Sequence, residues 1–300
     1  MSRELKPVAI FPERIIGANP QDTKAMLYDY AQAVEDLGFE GITAKDHVAL
    51  GNVPDGNNGY TNQNPFLEPL TLFASLAMIT KRIKLCSAVL VLPERQTALV
   101  AKQSADIANL SQGRLILGVG VGSNRTEFAA MGANFTDRGK RMAEQIHLLR
   151  ALWHGEEVTL SDHSIRDEAI EIGINPLPAY PIPVWLGGWA TRAVRRAAEL
   201  GDGWMPMGHP TDIEQALPTF HESLKESHRQ LGEFSMMGAF GSTKRGHAQP
   251  DTPEALAGIL DQWQATGATH VAYGNQQPGV DFSSHVKDLS NFMNVFMESA

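Results

Sequence analysis

Two adjacent polar residues, Asp46 and His47, follow Lys45 at the end of a short apolar segment, residues 41–44. The segment has the length and composition of a buried strand. Imidazole titrates near neutral pH, so His47 is suited to acid–base chemistry, and the Asp46 carboxylate can bind a ligand or cap the loop. Pairs of this kind are more often structural than catalytic. The pair therefore predicts chemistry only if the fold places it in a cleft.

Glycines end another apolar segment, residues 114–119. They stand at positions 118, 120 and 122. A dinucleotide-binding G-x-G-x-x-G motif beginning at Gly118 needs glycine at position 123, where the chain has Ser123. The sequence therefore argues against a Rossmann site. We expect these glycines to let a flat ring pack against bare backbone.

A second glycine pair, Gly187 and Gly188, stands between a predicted strand at 183–186 and a predicted helix at 189–200. The first N–H groups of a helix lack partners within it and lie at the positive end of its dipole, so they suit a phosphate. Thr191 could add a hydroxyl group and Arg192 a charge. An ordinary tight turn between strand and helix explains the pair equally well.

Motifs for metal-dependent or nucleophilic catalysis are absent from the sequence. It has no HxH, HExxH or CxxC pattern, and no GxSxG, Walker A or SxxK motif. We therefore expect no metal site. The missing motifs indicate an enzyme that borrows an organic cofactor.

Composition limits the partners of the chain. The net charge of −9 over 300 residues argues against nucleic acid, which needs a basic surface. The sequence has no signal peptide and no run of 18 apolar residues, so we expect a cytoplasmic protein without a membrane span. Cys86 is the only cysteine, which excludes an intrachain disulfide and predicts a buried thiol.

Strand and helix patterns alternate eight times along the chain. The predicted strands lie at residues 8–11, 41–44, 83–92, 114–119, 183–186, 203–207, 235–240 and 269–273. The predicted helices include residues 141–153 and a long one at 213–231. Eight alternations favour an α/β fold of the (β/α)8 TIM-barrel type over an open doubly wound sheet. We expect a single domain over residues 1–300, with an insertion after strand four at about 123–182.

Several segments together resemble the luciferase-like flavin and deazaflavin oxidoreductases. LSQGRLILGVGVG at 110–122 and PVWLGGWATRAVRRAAELGDGWMP at 183–206 are similar to the family's two signatures. PFLEPL at 65–70, LPERQTALVAKQ at 92–103 and DRGKR at 137–141 are most similar to the subgroup that uses the deazaflavin F420.

The resemblance implies a barrel of this type and a position for each part of the cofactor. The ring would rest on a bulge in strand three, with a non-proline cis peptide bond between Ser87 and Ala88, and Val121 and Gly122 would line its other side. Gly187, Gly188 and Trp189 would hold the phosphate. Asp46 and His47 match the pair that contacts the ring and supplies acid–base chemistry in F420-dependent sugar-phosphate dehydrogenases.

One position departs from those dehydrogenases. They carry a glutamate where this chain has Ser123, which is expected beside the cofactor but cannot act as an easily ionised acid. Glu127 lies one helical turn further on, and we do not assign that role to it. The sugar-phosphate activity is therefore not expected.

Three hypotheses remain. The first is an enzyme that transfers a hydride between F420 and a small organic substrate, with His47 exchanging the proton. The second is a monooxygenase that uses reduced FMN and oxygen. The third is a non-catalytic flavin-binding barrel. The resemblance also implies a homodimer formed through helices near strands two and three.

Overall fold

The computed structural model describes residues 5–16, 20–54, 59–160, 170–206, 208–240, 250, 252–275 and 279–299. The strands are β1 (Lys6–Ile10), β2 (Gly41–Ala44), β3 (Lys84–Ser87), β4 (Leu90–Val91), β5 (Leu115–Gly120), β6 (Val158–Leu160), β7 (Ile170–Ile172), β8 (Val184–Gly187), β9 (Gly203–Met205), β10 (Ser235–Ala239) and β11 (His270–Tyr273). The helices are α1 (Glu13–Ile16), α2 (Thr23–Asp36), α3 (Pro69–Ile79), α4 (Thr97–Leu110), α5 (Arg125–Ala130), α6 (Arg138–Trp153), α7 (Thr191–Leu200), α8 (Pro210–Glu214), α9 (Leu217–Glu226), α10 (Pro253–Ala265) and α11 (Phe282–Ser299). Short 3₁₀ turns lie at Leu92–Glu94 and Leu231–Glu233.

Parallel strands close into a barrel. They pair in the order β1, β2, β3, β5, β8, β9, β10 and β11, and β11 pairs back with β1. At the closing pair, Lys6 lies opposite His270 and Val8 opposite Ala272. The predicted (β/α)8 barrel is therefore confirmed, and the open sheet is excluded.

Nonpolar side chains of different sizes form a cluster inside the barrel. This inner cluster is formed by Val8, Cys86, Ile116, Trp185, Met205, Met237 and Ala272. Cys86 is buried as predicted, and burial raises the pKa of its thiol above the usual range. The main hydrophobic core lies between the strands and the surrounding helices, where nonpolar burial supplies most of the stability.

The third strand of the barrel is interrupted by the bulge that the sequence predicts. The registers pair Cys86 with Ile116 and Leu90 with Val119, so three residues on one side oppose two on the other. A non-proline cis peptide bond lies within the bulge, between Ala88 and Val89. The expected position, Ser87–Ala88, is therefore wrong by one residue.

Protein atoms fill the space beside the glycines that surround this bulge. A Cβ on Gly120 would lie 2.4 Å from Val89 Cγ2, and one on Gly187 would lie 2.7 Å from Val89 Cγ1. A Cβ on Gly122, whose φ is +71°, would lie 2.5 Å from Val91 Cγ1. Side chains of the strand-three segment therefore require glycine at these positions whether or not a ring binds there, and the expected ring contact stays a prediction.

Gly118 carries a prediction about the closure of the barrel. A Cβ there would lie 1.8 Å from the Ser87 carbonyl oxygen and 2.9 Å from Met205 Sδ. Gly118→Ala is therefore expected to lower the free energy of unfolding by at least about 3 kcal/mol in urea denaturation, because two paired strands must separate. The control is Gly258→Ala on α10, where nothing lies within 4 Å and a gain of about 0.5–1 kcal/mol is expected. An unchanged unfolding midpoint for Gly118→Ala would show that β3 and β5 do not pair in this register.

The connection between β5 and β8 contains the predicted insertion. Its long helix α6 packs against α4 and α7, so α6 belongs to the outer ring of helices. The additional structure is the short helix α5 and the antiparallel hairpin of β6 and β7, in which Val158 pairs with Ile172. Residues 161–169, within the predicted insertion, lie outside the described residues.

The predicted helix at 213–231 is wrong in its extent. The chain forms α8 and α9 instead, and Pro218 lies in the first turn of α9. Proline lacks an N–H group and disfavours helical geometry in the residue before it, so it starts a helix more readily than it continues one. The long periodic pattern therefore spans two separate helices.

His270, the first residue of β11, predicts an acid-sensitive stability. Burial, together with the charge of Lys6, lowers its pKa to about 4. The folded state therefore binds fewer protons than the unfolded state between pH 4 and the ordinary histidine value of 6.5, so this contribution to stability is complete above 6.5 and is lost as pH falls through that window. The free energy of unfolding should fall by about 3 kcal/mol more for the native protein than for His270→Gln between pH 7 and pH 4. Parallel losses in the two proteins would contradict this, and His221→Gln, at an exposed histidine, serves as the control.

Candidate active site

The residues expected to carry chemistry lie at one end of the barrel. Asp46 and His47 follow the last residue of β2, and the bulge of residues 87–89 follows β3. Gly122 follows β5, and Gly188 follows β8. In barrels of this type the carboxyl ends of the strands form the active face. The structure therefore places the acid–base pair in the position that favours the functional interpretation.

His47 is fixed by a carboxylate from the insertion. Its Nδ1 lies 2.9 Å from Glu127 Oε2, and the backbone N–H of Val48 donates to Glu127 Oε1 at 2.8 Å. Aromatic rings contact the imidazole on other sides, with centroids 5.2 Å away for Tyr60 and 4.7 Å for Phe66. A carboxylate facing Nδ1 holds the proton on that atom, so Nε2 is available to exchange a proton with a ligand.

Glu127 is positioned by the start of α5. Asn124 caps this helix and its side chain accepts from the Glu127 backbone N–H at 3.1 Å. Glu127 itself is only 2% exposed. A buried carboxylate that binds a histidine and a backbone N–H in this way stays in a fixed orientation, so it can orient the imidazole.

Asp46 has a structural partner as well as a place in the site. Its Oδ1 accepts from Arg95 Nη2 at 2.7 Å, and its Oδ2 accepts from the Val91 N–H at 2.8 Å. Arg95 also pairs with Glu68, at 3.0 Å. Burial raises the pKa of Asp46, and the charge of Arg95 opposes that shift. Asp46 thus ties the end of β2 to the segment after the bulge.

The residues expected around the ring differ in how deeply they are buried. Ser87 is fully buried and its hydroxyl donates to the Gly118 carbonyl at 2.7 Å, so its side chain is committed to the barrel wall. Ala88 is half-buried at the bulge, and Val121 and Gly122 are half-buried after β5. Ser123 is exposed. The bulge and the loop after β5 are thus brought together, as expected.

The segment expected to hold a phosphate begins with a turn that is already hydrogen-bonded. The Gly188 N–H donates to the Met205 carbonyl at 3.2 Å, so this N–H group is already hydrogen-bonded within the protein. The helix begins at Thr191 and not at Trp189, and its first N–H groups have no acceptor within the helix. A cavity of about 510 Å³ lies there, lined by Trp189, Ala190, Thr191, Val194, Asp212, Gln215, Ala216 and Thr219.

Comparison with known proteins agrees with this geometry. The luciferase-like monooxygenase family matches residues 10–290. The chain belongs to that family. It is therefore a luciferase-like enzyme, and the barrel end described above is where its family signatures converge.

Relatives of this luciferase-like protein include both an uncharacterised protein and an enzyme of known activity. An uncharacterised protein of Mycobacterium tuberculosis is 34% identical over 69% of this chain and 73% of its own. The F420-dependent hydroxymycolic acid dehydrogenase of the same organism is 28% identical, over 83% of this chain and 68% of its own. These relatives include the F420-dependent members that the resemblance led us to expect.

Solved structures with the same fold include both F420 and FMN enzymes. An F420-dependent secondary alcohol dehydrogenase, in complex with an F420–acetone adduct, has a TM-score of 0.75 and 15% identity, over 97% of this chain and 98% of its own. The oxygenating constituent of 3,6-diketocamphane monooxygenase from Pseudomonas putida, in complex with FMN, has a TM-score of 0.71 and 13% identity, over 96% of both chains. At these identities the likeness shows the fold.

Charged residues of this luciferase-like site were missed by the sequence interpretation. Glu127 binds His47. Glu94 is the buried last residue of the 3₁₀ turn at Leu92–Glu94, directly before Arg95. Glu13, after β1, accepts from the Lys45 backbone N–H at 3.2 Å. Each is a lone acidic residue in a short helix or turn, and no spacing in the sequence distinguishes it from a surface residue.

Proposed function

We propose that this protein is an F420-dependent oxidoreductase that interconverts an alcohol and a carbonyl group in a small organic substrate. The observation that carries the proposal is His47, which is fixed through Nδ1 by Glu127 at the mouth of the barrel. The F420-dependent dehydrogenase among the relatives and the F420-dependent secondary alcohol dehydrogenase among the structures support the same reaction class.

The residues at the mouth fit a flat ring with a phosphate-bearing chain. The bulge leaves the half-buried Ala88 on one side, and Val121 and Gly122 lie across from it. The first N–H groups of α7 and the hydroxyl of Thr191 open on the 510 Å³ cavity, where a phosphate would complete their hydrogen bonds. F420, when bound, supplies a ring carbon that accepts or donates a hydride.

His47 would exchange the proton that accompanies the hydride. In alcohol oxidation the hydroxyl proton passes to Nε2, and in carbonyl reduction Nε2 returns it to the oxygen. Glu127 stabilises the imidazolium that forms when Nε2 takes the proton, because its carboxylate lies 2.9 Å from Nδ1. Tyr60 and Phe66 restrict the ring to this orientation.

A sugar phosphate is not proposed as the substrate. Ser123 stands where the sugar-phosphate dehydrogenases carry a glutamate, and it is exposed. Glu127 does not replace that acid, because both of its oxygens are committed to His47 and Val48.

Anaerobic turnover tests the proposal. F420 and a panel of secondary alcohols should give reduced F420, and reduced F420 with ketones or aldehydes should give the reverse reaction. When the same assays are repeated in air, turnover in either direction should require no oxygen. Turnover that requires oxygen and reduced FMN, with none from F420 under any condition, would contradict the proposal.

The FMN-dependent monooxygenase is the second candidate. The fold that this chain shares with an FMN-bound monooxygenase supports this candidate. Oxygen uptake driven by reduced FMN in the same assay would support it. A non-catalytic barrel predicts that His47→Gln changes no measured turnover.

Assembly and location remain predictions. Met78 on α3 is 68% exposed and Leu110 on α4 is 49% exposed, and a homodimer through these helices would cover them. Size-exclusion chromatography with light scattering would detect the dimer.

No helix among the described residues is long and apolar enough to cross a membrane. A single domain, a cytoplasmic location and the absence of a nucleic-acid partner stay predictions from the sequence.

A further inference from the structure

Glu94 is an acidic residue buried beneath the loop that ends β5. Its side chain is 4% exposed, and its Oε1 lies 3.6 Å from the point where a Cβ on Gly122 would stand. Among the described residues, Oε1 has no hydrogen-bond partner. A buried carboxylate without a partner carries a large desolvation cost, so the carboxyl group is expected to stay neutral unless a cation compensates it.

The cations near Glu94 are committed elsewhere. Arg95 pairs with Asp46 at 2.7 Å and with Glu68 at 3.0 Å. On α6, Arg138 Nε donates to the Gly122 carbonyl at 3.2 Å and Arg141 Nη2 to the Arg95 carbonyl at 3.5 Å. These α6 guanidinium groups bind backbone oxygens and leave the carboxyl group of Glu94 without an ion pair.

The other charges that face Glu94 are negative. Glu127 on α5 and Asp46 after β2 both oppose its ionisation. The pKa of Glu94 is raised to about 8: burial is the largest cause, the charges of Glu127 and Asp46 add to it, and the charge of Arg95 opposes it. Where like charges crowd together, one carboxyl group keeps its proton so that the others can ionise.

We propose that Glu94 is a positioning residue: buried, and without a hydrogen-bond partner for its Oε1 in the described part of the chain, it stays neutral and places no second negative charge beside the Glu127–His47 pair. The carboxylate oxygens of Glu127 face two groups, Nδ1 of His47 at 2.9 Å and the N–H of Val48 at 2.8 Å. A neutral Glu94 next to it adds no competing negative charge. The division of charge fixes the proton of His47 on Nδ1 and leaves Nε2 for the substrate.

The proposal refines the proposed function, since it concerns the group that would exchange the substrate proton. It is tested without cofactor or substrate. In the native protein, the NMR signals of the His47 ring should show a step centred near pH 8, where Glu94 loses its proton and adds a negative charge to the cluster. That step should be absent from Glu94→Gln, which keeps the shape and cannot ionise.

Stability supplies the second measurement. Because Glu94 binds its proton more tightly in the folded state, its contribution to stability is complete below the ordinary carboxyl value of 4.5 and is lost as pH rises through about 8. The melting temperature of the native protein should fall between pH 5 and pH 8 relative to that of Glu94→Gln. Glu144→Gln, at an exposed site on α6, should follow the native curve.

Each outcome bears on the proposal. Identical melting curves for the native protein and Glu94→Gln would show that Glu94 holds no proton at neutral pH, and would overturn it. A difference in melting temperature with unchanged His47 signals would reduce Glu94 to a packing residue, and would also overturn it. If Glu94→Gln does not fold, the pH titration of the Glu94 carboxyl carbon in the native protein decides the point: a midpoint near 4.5 overturns the proposal. A failure to bind F420 would affect only the proposed function.

Discussion

Replacing His47 by glutamine is expected to lower kcat by about 10²–10³-fold while the affinity for F420 changes by no more than about twofold. Glutamine keeps a side chain of similar reach but cannot take the substrate proton at neutral pH. The loss should therefore appear in the chemical step. Steady-state kinetics with a secondary alcohol, together with a cofactor titration, separates the two effects.

Two further variants sharpen this result. Glu127→Gln leaves the imidazole in place but removes the charge at 2.9 Å that stabilises the imidazolium, so a smaller loss in kcat is expected. His147→Gln, at an exposed histidine on α6, should have native kinetics. A His47→Gln enzyme with native kcat would show that another group exchanges the proton. It would support a structural role for Asp46 and His47.

Removing the Asp46 carboxylate is expected to produce the largest loss of stability among substitutions in the site. The Asp46 side chain is 1% exposed and that of its partner Arg95 is 11% exposed. Asp46→Ala leaves the Arg95 guanidinium with Glu68 as its remaining ion-pair partner. It also removes the acceptor of the Val91 N–H. Breaking a buried pair of this kind typically costs about 3–5 kcal/mol, which urea denaturation measures directly.

A matched control isolates the effect of burial. Lys102 and Asp106 form an exposed i,i+4 pair on α4, and Asp106 is 44% exposed. Asp106→Ala should cost less than about 0.5 kcal/mol, because solvent screens such pairs. Asp46→Asn, which retains an acceptor for Val91, should fall between the two. If Asp46→Ala and Asp106→Ala had equal small costs, Arg95 would not depend on Asp46.

The sequence was sufficient to predict the barrel because its evidence is local. Apolar segments of strand length alternate with helical patterns, and the right-handed crossover leaves few ways to arrange them. The bulge in strand three and the position of Asp46 and His47 at the barrel mouth followed from the resemblance and from the strand order. The registers around Cys86 and Leu90 confirm the bulge, and the end of β2 at Ala44 places Asp46 and His47 at the carboxyl ends of the strands.

The partners within the site could not be predicted in the same way. Glu127 and His47 are separated by 80 residues, and they meet only because barrel closure brings the loops after β2 and β5 together. Glu94 is buried only in the folded chain, where α6 packs against its turn, while its sequence neighbours Pro93 and Arg95 suggest an exposed turn. Three-dimensional burial, and not residue type, decides both roles.

The errors have local physical causes. The cis peptide bond lies at Ala88–Val89 because the inserted residue of the bulge follows Ser87, which stays paired in β3 with Ala44 opposite. The helix expected at 213–231 divides at residues 215–216 because Pro218 has no N–H to donate to the carbonyl of Glu214, so a new helix starts in which Pro218 occupies the first turn. In both places, one residue alters the backbone without changing the surrounding pattern.

Titration of the purified protein with F420 and with FMN tests the central claim most directly. Cofactor fluorescence reports binding, and FMN can be offered as a competitor to the F420 complex. The account predicts saturable binding of one F420 per chain that FMN does not displace, and His47→Gln should bind F420 as the native protein does. Tight FMN binding with no detectable binding of F420 would contradict the account.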